Sequence, residues 1–224
     1  MLFSLAQRYI TYSRLKRAEW LRAKISLRQD AHILDLGGGD GGHFHTVFPE
    51  HRNVVVADLD DGALERARAR FGYQTVRLVP GSPLPFPDKA FDFVFCSSVI
   101  EHVTGDKDDV WQLSQSEFST RADACQSEFA QEIRRVGKSY FVQTPNKYFI
   151  VESHSWLPGF IVLLPRRALI FTLQVTNRFW PKGTRPDWRL FDVDRMRAFF
   201  PDAHIEEERS FGLVKSLMAM RIDA

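Results

Sequence analysis

Short apolar runs alternate along this chain with longer stretches whose apolar residues recur at helical spacing. Ile33-Leu34-Asp35-Leu36, Val54-Val55-Val56-Ala57, Phe91 to Cys96 and Ser139 to Gln143 are compact and rich in β-branched or aromatic residues, and they read as buried strands. Between them, Ala63, Leu64, Ala67 and Phe71 mark one side of a helix that Asp60 or Asp61 would cap and Gly72 would close. Gln115-Ser116-Glu117-Phe118 recurs as Gln126-Ser127-Glu128-Phe129. That offset is about three helical turns, so both phenylalanines share a helix face with Ile133 and Val136. Gly137 should end this helix in a tight turn. Strands alternating with helices predict an α/β class: a doubly wound, Rossmann-like parallel sheet with helices on both faces.

The remaining segments depart from that alternation. Residues 1–30 read as helix, with Leu2, Leu5, Tyr9, Tyr12, Leu15, Ala18, Leu21 and Ile25 at helical spacing and basic residues far outnumbering Glu19 and Asp30. This helix is expected to cap a pocket of the fold with its basic face in water; the alternative is an anionic membrane surface. Residues 147–190 are rich in aromatics, from Tyr148 to Trp188, and in Arg and Lys. Two apolar pieces, Gly159 to Leu164 and Ala168 to Leu173, are separated by Pro165-Arg166-Arg167 and are each too short to span a bilayer. They are expected to form a lid over an apolar ligand, with membrane contact through 157–175 and plain core helices as alternatives. Residues 191–224 read as helix, strand, strand. The whole is one domain: 1–30 cap, 31–146 core, 147–190 insertion, 191–224 terminal helix and hairpin.

Composition narrows the class. The chain has 224 residues, enough for one substantial core. A formal net charge of +2 argues against nucleic acid as the main partner. Cys96 and Cys125 are too few for a disulfide framework. Met1 to Ile10 has no secretory pattern, so a reducing cytoplasmic location is expected.

The chemistry starts at Gly37-Gly38-Gly39-Asp40-Gly41-Gly42, a glycine-rich turn directly after a strand that contains Asp35. Glycines permit positive φ and close approach of a ligand to the backbone. Gly37, Gly39 and Gly42 fit a dinucleotide spacing; Gly37, Gly39 and Gly41, with Asp35 ahead, resemble the turn of the class I S-adenosylmethionine-dependent methyltransferases, whose cofactor is a sulfonium. The acid discriminates: a carboxylate repels a pyrophosphate and attracts a sulfonium or ammonium. Asp58, ending the next strand, can accept both hydroxyls of a ribose and suits either cofactor.

The segment Leu84-Pro85-Phe86-Pro87-Asp88-Lys89-Ala90-Phe91-Asp92 through Glu101-His102-Val103 decides between them. Together with the glycine turn and Asp58 it resembles the class I S-adenosylmethionine (SAM)-dependent methyltransferases. The subgroup is that of ubiquinone and menaquinone biosynthesis enzymes and small-molecule O-methyltransferases. The resemblance covers about Ile33 to Asn146, with a weaker tail from Phe191 to Arg221. It implies a seven-stranded sheet, mostly parallel, whose last strand inserts antiparallel beside the fifth.

It also implies roles. Gly37, Gly39 and Gly41 hold the methionine part of SAM, and Asp35 orients donors near its amine. Asp58 binds the ribose and Leu59 covers the adenine. The family's usual Asp after the third strand is here Gly81-Ser82, leaving Ser82 as an uncharged acceptor for the adenine amine. Ser97 and Ser98 line the methyl region. Two histidines, His102 and His154, are candidate bases for an acceptor hydroxyl, each with a packing or capping role as the alternative. Glu101, His102, Glu152 and His154 offer metal donors if their loops meet, but neither pair has a spacing that demands an ion, and no metal is assigned. His43 and His45 are expected on the first turn and outer face of the helix after the glycines. The function implied is O-methylation of an aromatic, lipid-like or glycan-precursor small molecule. A catalytically silent SAM-binding module and a nicotinamide dehydrogenase are the alternatives.

Overall fold

The computed structural model describes the backbone of residues 2–223 and the side chains of residues 11–223. Seven strands form one sheet: β1 (Ile33–Leu36), β2 (Val54–Asp58), β3 (Gln74–Arg77), β4 (Phe91–Ser97), β5 (Gly137–Pro145), β6 (His204–Ser210) and β7 (Leu213–Arg221), in spatial order β3-β2-β1-β4-β5-β7-β6. β1 through β5 pair in parallel, and β7 enters antiparallel between β5 and β6. The order reverses at β1, whose neighbours are β2 and β4, and in open α/β sheets that reversal is where ligands bind, beyond the strands' carboxyl ends.

Side-chain alternation builds two cores. Ile33, Val54, Val56, Phe93, Phe95 and Phe141 face one side; Leu34, Val55, Ala57, Val94, Cys96 and Val142 face the other. The first side is covered by α1 (Leu2–Lys24), α2 (Gly42–Val47) and α3 (Asp61–Phe71). The second is covered by α4 (Gln115–Val136) and α6 (Val193–Phe199).

Local signals behave as their chemistry demands. The Asp60 side chain accepts from Ala63 N–H and caps α3, and Gly72 closes it in the left-handed conformation. Ser114 and Glu117 form a reciprocal capping box on α4. Phe118, Ala122, Ala130, Ile133 and Val136 form the inward face of α4, with Phe129 packed at its margin. Gly137 differs from expectation. It adopts an extended conformation, and the chain passes from α4 into β5 with no intervening turn. A Cβ there would stand 2.7 Å from a Val94 methyl, so glycine serves close packing.

The described half of α1 is a layer of the fold. Ala18, Leu21 and Ile25 are buried against the sheet, whereas Tyr12 and Leu15 are exposed; Leu2, Leu5 and Tyr9 lie outside the described side chains. Arg17 departs from the expected watery basic face. It is buried, donates to Gln143 Oε1 at 3.0 Å, and pairs with Glu208 at 2.7 Å. The insertion carries a 3-10 helix (Gly159–Leu163) and α5 (Arg166–Thr176) around a small core of its own: Leu157, Ile161, Leu169, Leu173, Trp188 and Leu190. Among the described residues no helix is long and apolar enough to cross a membrane.

Candidate cofactor and acceptor site

β1 stops at Leu36 because the next residues need left-handed backbone: Gly37, Gly39 and Gly41 have φ of 69°, 56° and 71°. A Cβ on Gly37 would lie 2.5 Å from a Val99 methyl, which places the glycine turn against the loop that leaves β4. Gly39 faces open space, with no atom within 4 Å of where its Cβ would stand. The Asp58 carboxylate accepts from the N–H groups of Gly39 at 2.8 Å, Leu59 at 2.7 Å and Asp60 at 3.0 Å, joining the turn to the end of β2. Leu59 stands exposed beside it. Ser82 lies exposed in the turn after β3, where its backbone N–H bonds Val79.

Asp35 lies beneath this turn at 2 % exposure, and its Oδ2 has no hydrogen-bond partner. A Cβ on Gly38 would come within 2.0 Å of that oxygen. Burial, with Asp58 and Asp40 nearby, pushes the Asp35 carboxyl up to about 8. A buried acid without a partner fits a site completed by a cation, such as the ammonium or sulfonium of SAM.

Beyond β4 the polar groups converge on Gln143. Its Oε1 accepts from Ser97 Oγ at 2.7 Å, Ser98 Oγ at 3.1 Å and Arg17. His43 joins them, with Nε2 3.4 Å from Ser97 Oγ. Burial, with Arg17 and Arg14 nearby, pulls the His43 imidazole down to about 3, so it is neutral. His43 lies on the first turn of α2, as expected, with its ring against Phe95 and near Ser97. His45 does occupy the outer face, stacked on Phe71 and bonded to the Tyr73 hydroxyl.

The two candidate bases meet. His102 ends a 3-10 helix (Ile100–His102) that starts one residue after Val99, and His154 comes from the loop past β5. Their rings touch edge-on with centroids 4.6 Å apart, and His154 stacks on Trp188. Their environments differ. His102 Nδ1 lies 3.8 Å from Asp187 Oδ2, and Lys107 holds the same oxygen at 3.0 Å. Burial would raise the Asp187 carboxyl, but His102 and Lys107 hold it well below the usual range. His154 Nδ1 is 2.6 Å from Glu152 Oε1, and its Nε2 is 3.9 Å from Glu101 Oε1. Burial would lower His154, but these two carboxylates outweigh it and hold it at about 9. It therefore carries a proton at neutral pH.

Glu101 is wholly buried; its Oε2 accepts from Thr144, and its Oε1 has no hydrogen-bond partner. Donor atoms of Glu101, His102 and His154 lie within 4.8 Å of one another, so the two loops do form a group that could hold an ion.

Asp187 and Gln126 escaped the sequence reading. Gln126 is buried in α4 and donates to Ile100 O at 2.8 Å and Arg189 O at 3.0 Å, fastening the His102 segment to the Asp187 segment. Asp187 belongs to no motif, and Gln126 only opens the second copy of the Gln-Ser-Glu-Phe repeat. The one available signal was Gln126 itself, an amide on the apolar stripe of α4.

Residues 34–116 match the family described as a methyltransferase domain. Demethylmenaquinone methyltransferase of Tropheryma whipplei is 34% identical over 105 residues, covering 43% of this chain and 44% of that protein. The chain thus spans less than half the length of the curated relatives it matches. Among solved structures, an S-adenosylmethionine-dependent methyltransferase from Mesorhizobium loti is similar at a TM-score of 0.54 and 18% identity, over 91% of this chain and 96% of that one. The PH0226 protein of Pyrococcus horikoshii is similar at 0.53 and 15% identity, over 94% and 89%. With the strand order and the glycine turn in agreement, the chain is similar in fold to the SAM-dependent methyltransferase of Mesorhizobium loti, and its residues 34–116 carry the match to the methyltransferase-domain family.

Proposed function

We propose that this protein transfers a methyl group to a hydroxyl of a small molecule with an aromatic, lipid-like or glycan part. The observation that carries this is adjacency. Val99 packs on the glycine turn, and His102, three residues on, donates its N–H to Val99 O at 2.8 Å. The cofactor turn and the candidate base therefore sit on one rigid junction.

Bound SAM supplies an electrophilic methyl group. The residues of this chain supply the rest. Asp35 and the turn Gly37 to Gly41 take the charged methionine end, Asp58 the ribose, Leu59 and Ser82 the adenine, and Ser97 the rim near the methyl. His102 removes the acceptor proton through Nε2, while Asp187 orients the ring through Nδ1, the division of labour of a base and its positioning carboxylate. His154, already protonated, serves as a fixed cation against Glu101 and Glu152 and not as a second base. The insertion closes over the acceptor and keeps water out. A cytoplasmic setting suits the two unpaired thiols.

Calorimetry with SAM and S-adenosylhomocysteine, followed by methyl-transfer assays on hydroxylated aromatic, lipid and glycan acceptors, tests the reading. Turnover on one acceptor class supports it. Tight SAM binding without turnover on any of them points instead to a silent module, and uptake of NAD without SAM overturns both.

A further inference from the structure

The insertion carries a second surface that the methyl-transfer reading does not use. α5 is amphipathic in an unusual sense. Leu169 and Leu173 point into the insertion's own core, yet the outward face is also apolar. Phe171, Val175 and Phe179 follow at four-residue spacing. The helical path extends through Phe179, because Trp180 N–H bonds Thr176 O at 2.7 Å. Phe171 and Phe179 are 68% and 70% exposed. Phe160 and Leu163, three apart on the preceding 3-10 helix and so eclipsed, are 64% and 63% exposed. Ile161 of that helix enters the same small core as Leu169 and Leu173, so both elements turn their other sides outward. Isolated exposed apolar residues are ordinary; four large ones on two consecutive elements of one insertion are not.

Charge says what the patch meets. No Asp or Glu occurs between Glu152 and Asp187, both of which are buried. The same stretch carries exposed Arg167, Arg178 and Arg185. Aromatic residues flanked by arginines with no acid nearby suit an interface that is apolar below and negative above.

We infer that the outer face of α5 and of Gly159–Leu163 seats this protein on an anionic lipid bilayer surface, lying on the membrane and not crossing it. The inference does not require the methyl-transfer reading, since vesicle binding is measured without cofactor or acceptor.

Co-sedimentation of the full chain with phosphatidylcholine vesicles, with and without phosphatidylglycerol, tests it. The expected result is partitioning into the anionic vesicles, weakened by salt, and at least about tenfold weaker without the anionic lipid. The double variant Phe171→Asp/Phe179→Asp should lose binding to both vesicle types. The double variant Arg167→Ala/Arg178→Ala should lose mainly the preference for anionic lipid. Both pairs are exposed, and unchanged thermal melts and SAM affinity report an intact fold. Failure of the wild-type chain to sediment with anionic vesicles, or equal sedimentation of the Phe→Asp variant, overturns the inference. So does an outcome in which the patch variants change only self-association in the ultracentrifuge, because a second copy would then be the occupant.

Discussion

The backbone N–H of Gly39 donates to Asp58 Oδ2 at 2.8 Å. The acid that ends β2 thereby holds the turn that follows β1, and the two strand ends proposed to take the cofactor are one hydrogen-bonded unit. Asp58→Ala removes the acceptor for Gly39, Leu59 and Asp60 together. Hydrogen bonds to a charged acceptor are worth roughly 1.5–3 kcal/mol. Affinity for S-adenosylhomocysteine should therefore fall at least about tenfold, as read by calorimetry. Asp58→Asn keeps one acceptor oxygen and should fall between.

The glycines divide by what surrounds them. Gly37→Ala puts a Cβ at positive φ and 2.5 Å from a Val99 methyl, so it should lower the melting temperature and stability by roughly 1–3 kcal/mol. Gly39→Ala has the same backbone strain but open space around it. It should lose only the strain part of that stability, about 1–2 kcal/mol, yet bind SAM poorly if its methyl stands in the path of the proposed ligand. Paired melts and titrations check both, and equal effects on stability and binding at the two sites would sink the distinction.

Asp35 predicts a pH dependence of definite sign. Its carboxyl is raised to about 8 in the fold, so the native state keeps a proton that the unfolded chain loses near its usual value of 3.8. The stability this group confers is complete below about 4 and is lost as pH rises through about 8. Cofactor binding runs the other way: a cation is held better by the ionised acid, so SAM affinity should rise towards pH 8 with release of a proton. Asp35→Asn should flatten both profiles, stabilise the free protein at pH 8, and weaken SAM binding. Denaturant melts against pH, and calorimetry in two buffers of different ionisation enthalpy, read the two effects.

The histidines should separate under mutation. His102→Ala should lower kcat by about 100-fold or more with little change in SAM affinity, because general-base catalysis is typically worth that much. Asp187→Asn should lower kcat less and shift its pH profile, because the carboxylate acts only through His102. His154→Gln should damage folding more than chemistry, since it leaves Glu101 and Glu152 buried without their cation. In protein treated with a chelator, His154 should titrate near 9 by NMR; a value near the ordinary 6.5 would remove its assigned role.

Metal removal distinguishes proton chemistry at His102 from an ion held by Glu101, His102 and His154. Dialysis against a chelator should leave turnover within about twofold if the proton reading holds. Loss of turnover restored by one divalent ion would replace it.

What the sequence by itself determined is what neighbours in the chain decide. Strand ends, the α3 cap at Asp60, the αL closure at Gly72 and the positive-φ turn after Leu36 depend on residues a few positions apart, and each was legible. So was the α/β class, because alternating runs and helical stripes are local periodicities. The small core inside 157–190 was not, since its members are drawn together only when the insertion folds back on itself. Tertiary structure alone set Asp187 beside His102, brought His154 between Glu101 and Glu152, and drew Arg17 out of water onto Gln143. Glu152 apart, which is two residues from His154, each of these joins residues tens of positions apart, where charge and protonation are fixed by distance in space. No periodicity along the chain carries that distance.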